Sequence, residues 1–448
     1  MTDALARLRA AVPANVRAVC ETLERAGHEA VTVGGAVRDA ILGREPGDWD
    51  VASSARPEEV IALFKHVIPT GLQHGTVTIV TGKGEASHVE VTTFRGEGAY
   101  TDARRPDHVT FGVPLVEDLA RRDLRVNAMA YDPAKDQLID PFEGQRDIAE
   151  KLLRAVGPTG NVYEDAVGRF TEDGLRVMRA VRFASVLEFA LDPDTERGIV
   201  PALPSLAKVS KERVCEELRK TLDTREPSRA LAIAQRTGII ELILPELAEG
   251  FETWTATEDA HHNVVALWLE RTDAAPPAAR LASLVGELAP ATANKRLDRE
   301  CAKRIDGVLR RLKFSNDEIA AASTIAATSS TSLAKDWTDS EVRRLLFDVT
   351  RANAKAAVGF WRADKSVDLA DRADAILARG DALHANELAV TGKDLMTELQ
   401  MKPGPMIGRL LAMLLTRVLD DPSHNTREEL LSIAKSAELA FARDEDAS

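Results

Sequence analysis

Along the first 145 residues, short apolar runs alternate with polar punctuation at the spacing of strands and short helices. Ala30-Val31-Thr32-Val33 is an apolar run that ends on Gly34-Gly35, and a helix-forming stretch follows. Val77–Thr81 and His88–Phe94 are rich in β-branched residues and are separated by Gly82-Lys83-Gly84, which predicts a hairpin. Beyond Asp147 the period changes. Glu172–Val186, Glu212–Leu222, Ser228–Thr237 and Ser340–Phe347 carry apolar positions at helical spacing, with almost no strand alternation. The pattern predicts an α/β head followed by an elongated all-helical remainder, with joints near 321–332 and 379–384. No fixed-period repeat or low-complexity tract interrupts it.

Composition narrows the class. A chain of 448 residues is too long for one core. With 44% hydrophobic and 29% charged residues it reads as a soluble globular protein. No stretch approaches a membrane span of roughly 20 apolar residues, and Met1-Thr2-Asp3-Ala4-Leu5 has no signal-peptide core. Cys20, Cys215 and Cys301 are far apart, without metal-ligand spacing, which predicts reduced thiols and a cytoplasmic location. The net charge of −13 argues against a surface coated by nucleic acid. It leaves room for a local basic groove, because Arg104, Arg105, Arg121, Arg122, Arg125, Arg176, Arg179, Arg182, Lys208, Lys211, Arg213, Arg219 and Lys220 crowd the first half, whereas Asp444-Glu445-Asp446 weights the tail.

The strand–Gly34-Gly35–helix unit is a candidate anion site, since a glycine turn presents amides and the helix start to a polyphosphate. Arg38 falls on the first turn, facing the same anion. Asp48 and Asp50 are two apart in an extended stretch, so both point to one face and Trp49 points the other way. Two hard carboxylates on one face suit Mg²⁺, and metal ions so held stabilise attacking and leaving oxygens in nucleotidyl transfer. Read separately, the glycines are also an ordinary turn and Asp-Trp-Asp a solvated loop. Glu90 lies in a strand expected beside that of Asp50, where it either completes a three-carboxylate site or is an exposed strand residue. Arg121-Arg122-Asp123-Leu124-Arg125-Val126-Asn127 offers groups for phosphates and ribose hydroxyls, or a capped helix with a charged surface.

A third block, Glu172–Phe183, places Asp173, Arg176 and Arg179 every three residues along a predicted helix. Such a face is either salt-bridged or able to read a base. Ionised Asp only accepts hydrogen bonds and Arg only donates them. Cytosine and adenine present an amino donor beside a ring acceptor, which matches an Asp-plus-Arg edge. Uracil and guanine present the reverse and would leave buried groups unpaired, at about 1–3 kcal/mol each. The selection is conditional on this helix facing the metal site.

Together these blocks closely resemble the class II tRNA nucleotidyltransferases, the CCA-adding enzymes, and their relatives the bacterial poly(A) polymerases. The similarity runs through Gly34-Gly35-x-x-Arg38-Asp39, Asp48-x-Asp50, Arg121-Arg122-Asp123 with Asn127, Asp140-Pro141-Phe142-x-Gly144 and Glu172-Asp173-x-x-Arg176-x-x-Arg179-Ala180-x-Arg182-Phe183. It continues more weakly in Lys211-Glu212-Arg213 to Glu217, Val390–Leu395 and Pro405-x-Ile407-Gly408. The resemblance implies a polymerase-β-like nucleotidyltransferase head over 1–147, a helical neck with the base-selecting helix over 148–210, a helical body over 211–332 and a helical tail over 333–448. In family terms Asp48 and Asp50 hold Mg²⁺ and activate the RNA 3′-hydroxyl, and Glu90 is a candidate third carboxylate. Gly34, Gly35 and Arg38 bind the triphosphate, and Arg122, Asp123 and Asn127 contact ribose and phosphate. Asp173 and Arg176 pair with the base, supported by Glu172, Arg179 and Arg182.

The implied reaction is template-independent addition of C, C and A to the tRNA 3′ acceptor end from CTP and ATP, with no obligate protein partner and no membrane. The alternative is an adenosine-only enzyme, since the same base edge accepts A. The segment Phe94–Pro106 resembles the flexible loop that enzymes adding only C lack, and its presence favours full CCA addition. Many relatives carry an HD phosphohydrolase domain in the body. Asp259-Ala260-His261-His262 resembles its opening, with the adjacent histidines read as surface residues. Gly286-Glu287 stands where a His-Asp pair is expected, which argues against a metal-dependent phosphatase.

Overall fold

The computed structural model describes residues 2–84, 87–97, 109–253, 258–289, 295–331 and 334–445. Two compact units emerge, Met1–Ile243 and Leu244–Ser448. The division falls inside the 211–332 stretch, and the positions 147 and 210 lie within the first unit.

The first unit is built on a seven-stranded mixed sheet. Its strands are β1 (Ala30–Val33), β2 (Asp50–Ser53), β3 (Val67–Gly71), β4 (Thr76–Val80), β5 (His88–Thr93), β8 (Ala130–Asp132) and β9 (Gln137–Ile139), in the order β3-β4-β5-β2-β1-β8-β9. A separate ribbon pairs β6 (Arg95–Glu97) with β7 (Val109–Phe111). The expected hairpin is β4–β5, antiparallel from Thr76↔Thr92 to Val80↔His88. Within the seven-stranded sheet β2 and β5 run parallel, in the register Asp50↔Glu90 and Ala52↔Thr92, and its other pairs are antiparallel. On one face Val51, Val77, Val89, Val91 and Tyr131 pack against α1 (Thr2–Ala11), α2 (Ala14–Arg25), α3 (Gly35–Leu42) and α4 (Pro57–Leu63). On the other, Val31, Val33, Ala52 and Phe94 pack against Leu115 and Leu119 of α5 (Leu115–Ala120). Asp50 shares the parity of Ala52 and so opens on this second face.

After α6 (Gly144–Glu150) the first unit is mostly helical, with α7 (Val162–Glu172), α8 (Leu175–Leu187), α9 (Pro193–Arg197), α10 (Ile199–Ala207), α11 (Lys211–Leu222), α12 (Pro227–Arg236) and α13 (Ile239–Ile243), and one short parallel ribbon of β10 (Leu152–Leu153) with β11 (Ala190–Leu191). The expected helix over 172–186 is two helices. Asp173 is extended at φ −134°, ψ 106°, and ends α7. The break lies where α10 approaches most closely, since a Cβ on Gly174 would lie 2.3 Å from the Leu206 backbone nitrogen, and Asp173 caps the new helix by accepting from the Leu175 N–H at 3.0 Å.

The second unit is helical throughout its described residues. Its helices start on local signals such as the capping boxes of Ser315 with Glu318, Thr338 with Glu341 and Thr391 with Asp394. Trp268 and Trp361 are fully buried, and each indole N–H finds an acceptor, the Leu284 carbonyl at 3.1 Å and Thr328 Oγ1 at 2.8 Å. The expected joint at 321–332 overlaps the helix Asn316–Ala327, because alanine at that density is a strong helix former. The other, at 379–384, is a loop that opens on Gly380 in the left-handed region. Among the described residues no helix is long and apolar enough to cross a membrane.

Candidate active site

A cavity of about 520 Å³ opens in the first unit where the second face of the sheet meets α8 and α11. Gly34, Gly35 and Arg38 line one side, with Asp50. Arg121, Arg122, Asp123 and Asn127 supply a second wall, and Asp173, Leu175, Arg176, Arg179, Phe183 and Arg213 a third. Six arginines and three aspartates line it, an excess of three positive charges in a chain of net charge −13. Such an excess of positive charge attracts polyanions.

Gly34 is required at its position. It sits at φ +80°, and a Cβ there would come within 2.8 Å of Arg122 Nη1. The turn launches α3, whose Arg38 is 5% exposed. Arg38 lies on the cavity wall with its guanidinium committed to protein acceptors: it donates to the Asn127 side-chain oxygen and pairs with Asp39 at 2.9 Å. Asn127 in turn donates to Asp123 at 3.0 Å. Burial disfavours the Asp123 carboxylate, but Arg179 at 2.6 Å and hydrogen bonds from Asn127 and the Leu124 N–H outweigh it, holding its pKa well below the usual range. The neighbouring Asp123 charge raises Arg179 in return.

The carboxylate strand keeps the expected alternation. Trp49 is buried in the core, and Asp48 and Asp50 are exposed. Asp50 opens β2 and lines the cavity, whereas Asp48 precedes the strand and Glu90 lies beside Asp50 across the parallel pair; neither is in the lining. Surrounding protein pushes the Asp50 carboxyl up to about 6, Glu90 and Asp48 add to this, and Arg122 opposes it. Among the described residues no group of three or more acidic, His or Cys side chains is placed to hold a metal ion, and Glu90 stands as the neighbour of Asp50 across the strand pair. The donor set of Asp48 and Asp50, all hard oxygens in surroundings that disfavour bare negative charge, fits a divalent cation.

At the far wall, Asp173 is held at the α7–α8 break. Its Oδ1 accepts from the Leu175 N–H at 3.0 Å and its Oδ2 from Arg213 at 2.9 Å. Arg176 is 8% exposed and donates to Glu172 at 2.7 Å and to the Arg169 carbonyl at 3.3 Å. Glu172 is outside the lining and acts on Arg176 from behind. Arg182 is also outside, paired with Glu217 at 2.7 Å. Phe183 joins the walls, with the guanidiniums of Arg38, Arg179 and Arg182 lying 5.2, 5.6 and 4.5 Å from its ring centre. Sequence reasoning assigned no site role to Leu175 or Phe183, and it placed Arg121 and Arg213 in a basic groove without a specific partner. Arg213 had a signal in Lys211-Glu212-Arg213; the contact to Asp173, 40 residues away, had none.

The segment Phe94–Pro106 lies largely outside the described residues, from 98 onward, and so do the side chains of His261 and His262. At the position of the absent His-Asp pair, Glu287 meets Arg271 at 2.8 Å, and Arg271 also meets Asp364 at 3.0 Å.

This sheet, with a glycine turn and a carboxylate strand facing one cationic cavity, defines a nucleotidyltransferase head, and residues 30–154 match the family described as Poly A polymerase head domain. Residues 188–251 match the probable RNA and SrmB-binding site of polymerase A, and residues 300–434 match the putative domain 2 of tRNA nucleotidyltransferase. The CCA-adding enzyme of Lactococcus lactis subsp. cremoris is 35% identical over 419 residues, 93% of this chain and 94% of its own length. That of Geobacillus stearothermophilus is 48% identical over 230 residues, 51% of this chain and 54% of its own. The crystal structure of the Bacillus stearothermophilus CCA-adding enzyme in complex with CTP aligns at a TM-score of 0.72 and 32% identity, covering 96% of this chain and 98% of that one. The chain belongs to the CCA-adding enzyme family.

Proposed function

We propose that the cavity is the single active site at which this tRNA nucleotidyltransferase adds C, C and A to tRNA 3′ ends from CTP and ATP. The observation that carries the reading is that one cavity is lined both by Asp50 and Gly34 and by Asp173 and Arg176, which meets the condition on which base selection depended. The related enzymes include structures in complex with CTP and, at the level of fold, with ATP and with tRNA_CCA. A cytoplasmic location accords with these substrates.

The triphosphate is held at Gly34, Gly35 and Arg122, with Arg38 behind them. Asp123 and Asn127, locked by Arg179 and Arg38, present a fixed polar edge to the ribose. Asp173 accepts the amino hydrogen of C or A, and Arg176 donates to the adjacent ring acceptor. Arg213 and the Leu175 N–H fix the Asp173 carboxylate, and Glu172 fixes Arg176. Because no template supplies the choice, rejection of U and G rests on the unpaired groups they leave.

The family depends on a divalent metal, and we assign Mg²⁺ to Asp48 and Asp50, with Glu90 adjacent to the pair. When bound, the metal lowers the cost of the charge that builds on the attacking and leaving oxygens. The RNA 3′-oxygen forms a bond to the α-phosphorus, the α–β bridging bond breaks, and pyrophosphate leaves on the cationic wall of Arg121 and Arg122. The hydroxyl proton departs on the side of Asp48 and Asp50.

Purified protein incubated with Mg²⁺ and tRNA lacking its CCA end is expected to add two residues from CTP alone and a third once ATP is present. Incorporation of ATP into tRNA ending in CC, with none from CTP, would instead establish the adenosine-only enzyme. No incorporation of either nucleotide would refute the reading.

A further inference from the structure

Behind the cavity wall, Asp118 on α5 is 1% exposed. Its Oδ1 accepts from Arg121 Nε at 3.0 Å and from the Arg95 backbone N–H at 3.2 Å. Its Oδ2 is buried without a hydrogen bond, 3.7 Å from Arg122 Nη2. Arg122 is equally unspent. Among the described residues its guanidinium makes one hydrogen bond, a long one from Nη1 to the Asn127 carbonyl at 3.4 Å, and its Nε is buried with no partner. A guanidinium has five donors, and a folded interior normally uses them. Arg38 and Arg179, on the same cavity, do use theirs.

We propose that Asp118 is a positioning residue for triphosphate recognition: its buried carboxylate fixes Arg121 directly and sets Arg122 over Gly34 at longer range, keeping the Arg122 donors for an anion. Burial works against the Arg122 cation, and Asp118 is the first of the charges that oppose it. A bond shorter than 3.7 Å would spend the guanidinium on protein. No carboxylate at all would leave two adjacent cations, Arg121 and Arg122, repelling each other, with Arg122 buried and free to withdraw. The sign follows. Asp118→Asn removes a negative charge from behind the wall and still weakens the hold on a triphosphate, because position is lost.

The inference rests on reading the Gly34–Arg122 end as the triphosphate site, and the experiment separates the two. Steady-state kinetics are measured with CTP on tRNA lacking CCA and with ATP on tRNA ending in CC, together with inhibition by inorganic tripolyphosphate. Asp118→Asn is expected to raise KM for both nucleotides about tenfold and to weaken tripolyphosphate inhibition to the same extent, with kcat within about threefold and the preference for C and A intact. A purely structural role would lower thermal stability without this selective rise in KM. If Asp118→Asn does not fold, Asp118→Glu, which keeps the charge but shifts it by one methylene, is expected to raise both KM values by a smaller factor. Unchanged or lowered KM in the folded variant overturns the proposal. Arg122→Gln reports on the underlying reading. If it leaves KM and tripolyphosphate inhibition unchanged, that reading falls; if it raises KM while Asp118→Asn does not, only the role of Asp118 falls.

Discussion

Each compact unit of this chain buries a cluster of arginine and carboxylate, and the two clusters are left in opposite states. In the second unit Arg271 meets Glu287 and Asp364 and donates to the Ser283 carbonyl at 3.0 Å, with Gly286 packed so closely that a Cβ there would lie 2.7 Å from Nη2. Two acids share one guanidinium, and burial raises both of their pKa values. In the first unit the cavity carries more arginines than acids and one acid pushed up to about 6. The Nε is buried without a partner in both Arg122 and Arg271, so the difference lies at the terminal nitrogens: those of Arg271 meet two acids and a carbonyl within 3.0 Å, whereas those of Arg122 come no closer than 3.4 Å to the Asn127 carbonyl and 3.7 Å to Asp118. The same residue types thus serve structure where partners close around them and serve chemistry where the set stays incomplete. A cation at Asp50 and a polyanion at Arg122 would each supply what the first cluster lacks.

The contrast breaks most sharply at the carboxylate strand. Asp50→Asn or Asp48→Asn is expected to lower nucleotide transfer by more than about 10⁴-fold, while tRNA binding measured by filter retention stays within about twofold. Retained activity in both variants would remove the metal assignment. In the second unit Arg271→Met leaves two buried acids without their cation, so stability of that unit should fall by about 3–5 kcal/mol in chemical denaturation. Selectivity among nucleotides in the protein that remains folded should not move; a change in selectivity would mean that this cluster also serves the chemistry.

A smaller effect is expected at Gly34. Gly34→Ala must hold a Cβ at φ +80°, at a cost of about 1–2 kcal/mol, and displace Arg122. We expect KM for CTP and ATP to rise together by about tenfold, and equal KM in the variant would show that the turn does not shape the triphosphate site.

The smallest is a pH effect. A carboxyl raised to about 6 binds protons more tightly folded than unfolded, so its ionisation weakens the metal-free fold as pH rises from about 4 to 6. Because Asp50 is solvent-exposed at the cavity, the effect after screening is about 1 kcal/mol or less. Metal-free Asp50→Asn should therefore melt a few degrees above the parent at pH 7 and together with it at pH 4. A gain at pH 4 instead would reverse the sign.

Local periodicity made the head legible. The strand before Gly34 follows from its apolar run, the β4–β5 hairpin and the inward Trp49 follow from strand patterning, and the placement of Glu90 beside Asp50 followed once those strands were recognised. What periodicity hid was set by distant backbone. The break at Asp173 lies where α10 passes against Gly174, and apolar spacing runs across it unchanged. The reading that Arg38 faces an anion missed that Asn127 and Asp39, near in space, take up its donors. Arg213 lines the cavity from another helix, 40 residues from Asp173, and Asp118 acts from behind the wall, so neither contact follows from a block of cavity-facing residues read along the chain.

The central claim, that one Asp/Arg edge chooses the base without a template, is tested most directly by measuring incorporation of all four nucleotides by the parent and Asp173→Ala on tRNA lacking CCA. The parent is expected to take C and then A and to reject U and G. Asp173→Ala should lose about 1–3 kcal/mol of that discrimination, about ten- to a hundredfold, with inhibition by tripolyphosphate unchanged. A variant that keeps the parent's preference would contradict the account.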